Sequence, residues 1–141
     1  MRFSSEKSGL FGVVILGSAI TLVLVSLAGL LGYAKPKPVF ALVCSLLIAV
    51  FMLWLWFGTY YRIKDGTLFY YSGPIRGSLK IQDINTLIVN KTLWVGMKPA
   101  LATNGIIVKY NKYDEVYLSP RDKDAFITEL LKLNGNIKIV R

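Results

Sequence analysis

Two uncharged runs decide most of what this chain can become. Between Gly9 and Tyr33, and again from Val39 to Tyr61, there is no Asp, Glu, Lys or Arg. Each run exceeds the roughly 20 residues that carry an α-helix across the hydrocarbon layer of a bilayer. Only Ala34-Lys35-Pro36-Lys37-Pro38 separates them, and a short link holding two prolines cannot continue a helix. The spacing predicts two membrane spans, about 9–33 and 39–60, folded back as an antiparallel hairpin with both ends on one side. The first run is too long for the apolar core of a cleavable leader, and a second span follows at once, so an anchor is expected rather than a signal peptide.

Lys and Arg near the span ends set the orientation. Arg2 and Lys7 precede the hairpin and Arg62, Lys64, Arg76 and Lys80 follow it, against Lys35 and Lys37 in the link. That bias places both ends, and the C-terminal domain with them, in the cytoplasm. Inside the spans, Ala41, Ser45 and Ala49 recur every four residues, as do Ala28 and Gly32. Such small faces let two backbones approach closely, as packing within the hairpin requires. Trp54, Trp56, Tyr60 and Tyr61 cluster where the second helix leaves the bilayer, the place where aromatic rings favour the interface.

Beyond the spans the hydrophobic period changes from helical to twofold. Tyr60 to Lys64 and Thr67 to Ser72 are β-rich runs separated by Asp65-Gly66, a strong hairpin signal. From Ile75 the alternation points Ile75, Gly77, Leu79 and Ile81 one way and Arg76, Ser78, Lys80 and Gln82 the other. Further strands are predicted at Thr86 to Asn90, Ala100 to Thr103, Gly105 to Tyr110 and Glu115 to Ser119. Ser119-Pro120-Arg121-Asp122 then offers an N-cap serine, a proline at the first helical position and an acid where a capping box uses one. Phe126, Leu130 and Leu133, flanked by Ile127 and Leu131, make one apolar stripe that ends at Asn134-Gly135. A meander that short cannot cover its own core, so the helix must pack on the open end or face of the sheet. The expected fold is α+β: a transmembrane hairpin over residues 1–60, then an antiparallel β-barrel of about seven strands plugged by one helix over 61–141.

That architecture is the one expected of a pleckstrin-homology-like (PH-like) barrel. The residues that carry the likeness are Tyr61-Arg62-Ile63-Lys64-Asp65-Gly66-Thr67-Leu68, Ile81-Gln82-Asp83-Ile84, and Val116-Tyr117-Leu118-Ser119-Pro120-Arg121-Asp122-Lys123 with Phe126, Leu130 and Asn134-Gly135-Asn136-Ile137. Together they resemble the uncharacterised bacterial PH domains of the YyaB-like type from Tyr60 to Ile139. Two departures stand out: Thr103-Asn104-Gly105 replaces a Ser-x-Asp-Arg-like turn, and Gly135 a proline. The resemblance implies the fold, and a membrane context through preceding spans, but no reaction.

The chemistry of the residues agrees with a binding role. Histidine is absent and the single Cys44 lies inside the second span, so no disulfide, zinc or His-based acid–base arrangement is expected, and no cofactor. Enzyme motifs are missing. The soluble carboxylates read as turn, cap or helix-surface residues, with Asp83 the one open to another role. From Arg62 to Arg141 there are 13 Lys and Arg against seven acids, a net of +6, which suits a domain held near an anionic leaflet. Arg62 and Lys64 share one strand face directly after the membrane exit and are the candidate membrane-surface contacts. The apolar segment Trp94 to Pro99 makes Trp94 and Met97 candidate loop contacts, with folding back on the barrel preferred. The tight, acidic Asp65-Gly66 turn argues against a phosphoinositide pocket in the first loop, and scattered charge argues against nucleic acid. The expected function is a non-catalytic, membrane-anchored module for a protein or anionic-lipid partner. The alternative is protection against a membrane-active peptide toxin, with the hairpin as receptor.

Overall fold

A computed structural model describes residues 1–33, 39–93 and 96–141. The link bearing Lys35 and Lys37, and Trp94 with Val95, lie outside the described residues. The chain divides into two units: Gly9–Phe57, and a second assembled from Met1–Ser8 together with Gly58–Arg141.

The first unit is a pair of helices, each apolar and long enough to cross a membrane, with a mean hydropathy of 2.6. Helix α1 (Gly9–Ala28) runs into a π-type turn at Gly29–Tyr33, where Gly32 adopts φ 120°. Helix α2 spans Val39–Phe57 and stops at Gly58, earlier than the predicted end of the span. The pair is antiparallel, since the start of α1 meets the end of α2: a Cβ on Gly12 would lie 2.9 Å from the Trp56 ring. The close approach is made by Gly12, Ala19 and Ser45, all buried. Of the small faces predicted from spacing, only Ser45 is buried; Ala41, Ala28 and Gly32 are exposed. The large side chains point outward, with Val13 75% and Phe40 82% exposed, an arrangement that suits lipid and is costly in water.

The second unit is an open sandwich of two four-stranded sheets and one helix. Strands β1 (Arg2–Ser4), β2 (Thr59–Lys64), β3 (Thr67–Ser72) and β4 (Ile75–Lys80) form the first sheet in that order, all antiparallel. Strands β5 (Ile84–Val89), β6 (Ile106–Tyr110), β7 (Asp114–Leu118) and β8 (Lys138–Val140) form the second, in the order β7-β6-β5-β8, with β8 parallel to β5. A 3₁₀ turn at Ile81–Asp83 joins the sheets. The β2–β3 turn has Asp65 and Gly66 at φ 51° and 69°, the left-handed pair that a two-residue hairpin demands.

The described residues thus hold eight strands where about seven were predicted: β1 and β8 are additional, Ala100 to Thr103 is not a strand, and α3 starts late. Strand β1 comes from ahead of the hairpin, so the N-terminal segment belongs to the sheet rather than to the anchor. Ala100 to Thr103 is not a strand. Its neighbourhood is claimed by tyrosine hydroxyls: Tyr61 donates to Pro99 O at 2.7 Å, Tyr117 donates to Ala102 O and accepts from Gly105 N, both at 2.8 Å. Only an isolated bridge from Leu101 to Lys7 remains.

Helix α3 (Lys123–Leu133) starts later than its proline suggested. Ser119 is fully buried and bonded elsewhere, and Pro120 bridges to Ser5, so Asp122 is the cap and accepts from Ala125 N at 3.0 Å. Phe126, Ile127 and Leu130 enter the core between the sheets. Leu133 is 47% exposed, one turn too far along to reach it. Asn134 ends the helix and its amide donates to Ile81 O at 2.9 Å, tying α3 to the 3₁₀ turn. Inside the first sheet, Tyr70 lies across Gly77: a Cβ there would come within 2.2 Å of the phenol.

Tyr61 and Tyr60, predicted as interfacial rings, belong to this unit instead. Tyr61 is fully buried, and its oxygen accepts from Ser119 N at 3.0 Å and lies 3.3 Å from Ser5 Oγ. Ser5 Oγ in turn lies 3.0 Å from Ser119 Oγ, which accepts from Leu101 N. Burial pushes the Tyr61 hydroxyl above its usual 10.0, against the opposing pull of the Ser5 and Ser119 hydrogen bonds. A raised pKa means that the native state holds this proton when the unfolded chain has lost it. The stabilisation is therefore complete below about pH 10 and is lost as pH climbs through the folded value. The melting temperature should fall above pH 10. In Tyr61→Phe it should fall less steeply, from a starting stability about 1–3 kcal/mol lower because Ser119 N and Pro99 O lose their partner. Parallel alkaline melting curves for the two chains would refute this.

Candidate functional site

Strand alternation gives the first sheet two unlike faces. Tyr61, Ile63, Leu68, Tyr70 and Leu79 point into the core. On the other face the register stacks three cross-strand rows. Arg2, Arg62, Phe69 and Ser78 form one; Ser4, Tyr60, Tyr71 and Arg76 form the next; Lys64, Thr67 and Lys80 form the third. All five cations are exposed, and the three aromatic residues are half-buried between them. None of the rows contains a carboxylate. At one edge the carboxylate of Asp65 in the turn is 3.9 Å from Lys64 Nζ, both groups well exposed, a pairing of little energetic weight, and at the other Arg2 lines a cleft with Glu6, Asp122 and Asp124.

An aromatic pair holds Arg2 in place. Tyr60 and Tyr71 stack with centroids 4.6 Å apart and 16° between planes, and the Arg2 guanidinium sits 4.1 Å from the Tyr60 centroid. That contact is a cation–π interaction and orients the guanidinium over the sheet. Arg2 and Arg62 meanwhile face each other directly across adjacent strands, an arrangement that costs stability unless an anion lies between them.

Among the four residues singled out in the sequence, Arg62 and Lys64 are thus brought together on this face. Met97 is not: it is 49% exposed, and its carbonyl accepts from Tyr117 N at 3.0 Å, which sets its backbone beside β7 in the other sheet. Trp94 lies outside the described residues. Sequence reasoning had the wet face of β4, with Arg76 and Lys80, but not its continuation through Phe69 and Tyr71 to Arg2. Adding Arg2 required knowing that the residues ahead of the hairpin pair with β2, and the alternation of Arg2-Phe3-Ser4 is too short to reveal that. Asp83 lies in the 3₁₀ turn, where its carbonyl accepts from Asn111 N at 3.0 Å. Among the described residues no group of three His, Cys, Asp or Glu side chains converges to hold a metal.

An open two-sheet sandwich closed by one C-terminal helix is a PH-like fold. The chain belongs to the bacterial PH domain family, whose model matches residues 59–134. The match leaves out β1, both apolar helices and β8. No curated protein and no solved structure gives a match.

Proposed function

We propose that this chain is a non-catalytic binding module, anchored in the cell membrane by its two spans, with the PH-like domain on the cytoplasmic side and Arg62 and Lys64 on its binding surface. One observation carries the reading: β1 precedes the first span, β2 follows the second, and the two are neighbours in one sheet. The domain is therefore fastened to the hairpin at two points. Its cationic face begins within a few residues of both.

The Lys/Arg bias supports the cytoplasmic orientation. Cysteines placed at Lys37 and Lys138 should respectively be labelled and protected in intact cells; labelling at Lys138 would reverse the orientation. The module itself is tested by exchanging residues 9–57 for an unrelated two-span hairpin and recovering bound material from native membranes. Retention of the same partner by the exchanged chain, compared with the original, is expected. If binding follows the hairpin instead, the spans are the functional part and protection against a membrane-active peptide becomes the better reading.

A further inference from the structure

We infer that the outer face of the β1–β4 sheet is a docking surface for anionic lipid headgroups, an inference that rests on the membrane-anchored reading above. The three rows combine what such a surface requires. Arg2, Arg62, Lys64, Arg76 and Lys80 present positive charge with no acid among them. Half-buried Tyr60 and Tyr71 supply amphipathic rings of the kind that favour the headgroup level, and Phe69 adds an apolar one. The cations stand on a hydrogen-bonded sheet, so little backbone entropy is lost when an anion is met.

Charge complementarity selects the occupant. Arg2 opposes Arg62 in register, so the face carries internal repulsion that a layer of phosphates relieves along its whole width. Covalent reach supplies the concentration. Arg62 follows the end of α2 at Phe57 by five residues and Arg2 precedes the start of α1 at Gly9 by seven, so neither can be more than about 18 Å and 25 Å of chain from a span end. A face tethered at that range meets the bilayer as an intramolecular event, and modest attraction suffices. An acidic protein would have to displace lipid already present at that concentration.

The test uses the full chain in nanodiscs. In a Cys44→Ser background, a fluorophore on Ser78→Cys, at the end of the Arg2–Arg62–Phe69 row, reads quenching by a lipid carrying a headgroup nitroxide. A second fluorophore on Tyr113→Cys, at the β6–β7 turn of the other sheet, is the control. Quenching at position 78 should be strong in an equal mixture of phosphatidylcholine and phosphatidylglycerol, weak in phosphatidylcholine alone, and should decline as salt rises. Arg62→Gln with Lys64→Gln should shift the docked-to-undocked ratio about thirtyfold, roughly fivefold per cation, with no change at position 113. Equal quenching in both lipids, or quenching indifferent to the double substitution, overturns the lipid surface and leaves the face to an acidic protein. Loss of the lipid signal while the hairpin-exchanged chain still recovers its partner refutes this inference alone. A retained lipid signal without partner recovery refutes the module reading instead.

Discussion

A fragment that begins at Gly58 should fail to give a cooperative unfolding transition, and joining residues 1–8 to it through a flexible Gly/Ser linker in place of the hairpin should restore one. The bare fragment lacks β1 and all that the segment secures. Glu6 N donates to Ser119 O, Ser8 N to Leu101 O, Arg121 N to Ser4 O and Ile63 N to Met1 O, and Ser5 completes the buried hydroxyl cluster. Phe3 also packs edge-on to Phe126, with centroids 5.2 Å apart and planes at 90°. At about 1 kcal/mol for each hydrogen bond, with the apolar contact and a stranded hydroxyl added, the loss is at least on the order of 5 kcal/mol. That rivals the whole stability of a small domain. Far-UV circular dichroism followed through a thermal scan distinguishes the two fragments. A sharp transition from the bare one would show β1 to be dispensable.

In the linked fragment, Phe126→Ala should lower the unfolding free energy by about 3–5 kcal/mol, the sum of transfer and cavity terms for a fully enclosed aromatic ring. Phe126 is fully buried, touches Phe3 and lies 6.2 Å, centroid to centroid, from Tyr61, so both the first sheet and α3 lose a common contact. Lys132→Ala, on the solvent side of the same helix, should change stability by less than about 0.5 kcal/mol. Urea denaturation of the two variants makes the comparison. Similar midpoints would mean that α3 is not docked as described. Lys123 is not a suitable control, although its helical position reads as surface: its ammonium donates to Asn104 O at 2.6 Å and lies 3.3 Å from Asn90 Oδ1.

The elements legible in the sequence are those with a local cause. Unbroken apolar runs give α1 and α2, Asp65-Gly66 gives the first hairpin, and the Phe126–Ile127–Leu130 spacing gives the buried side of α3. What escaped depends on partners distant in the chain. Ser119 reads as a cap because its hydroxyl is free to bond locally in an isolated peptide, yet here it is bonded with Ser5 and Leu101 instead. Leu101 and Ala102 look like strand residues, but tyrosine hydroxyls and the segment at Ser8 occupy the neighbouring backbone. The candidate face was half legible for the same reason. Arg62 and Lys64 follow from strand alternation, whereas Arg2 and the Tyr60–Tyr71 stack arise only when three strands are in register.

On the membrane-anchored reading proposed above, a hairpin placed between two adjacent strands also imposes an order on biosynthesis. Strand β1 leaves the ribosome before either span, and β2 after both; Arg2 meets Arg62, sixty residues apart, several seconds later at about 5–20 residues per second. During that interval β1 has no sheet to join. If the second span fails to insert, its partner strands finish on opposite sides of the bilayer and the sheet cannot close. On that reading, closure of the sheet reports that β1 and β2 lie on one side of the bilayer, since a chain with a single span threaded leaves Phe3 and Ser5 without Phe126 and Ser119.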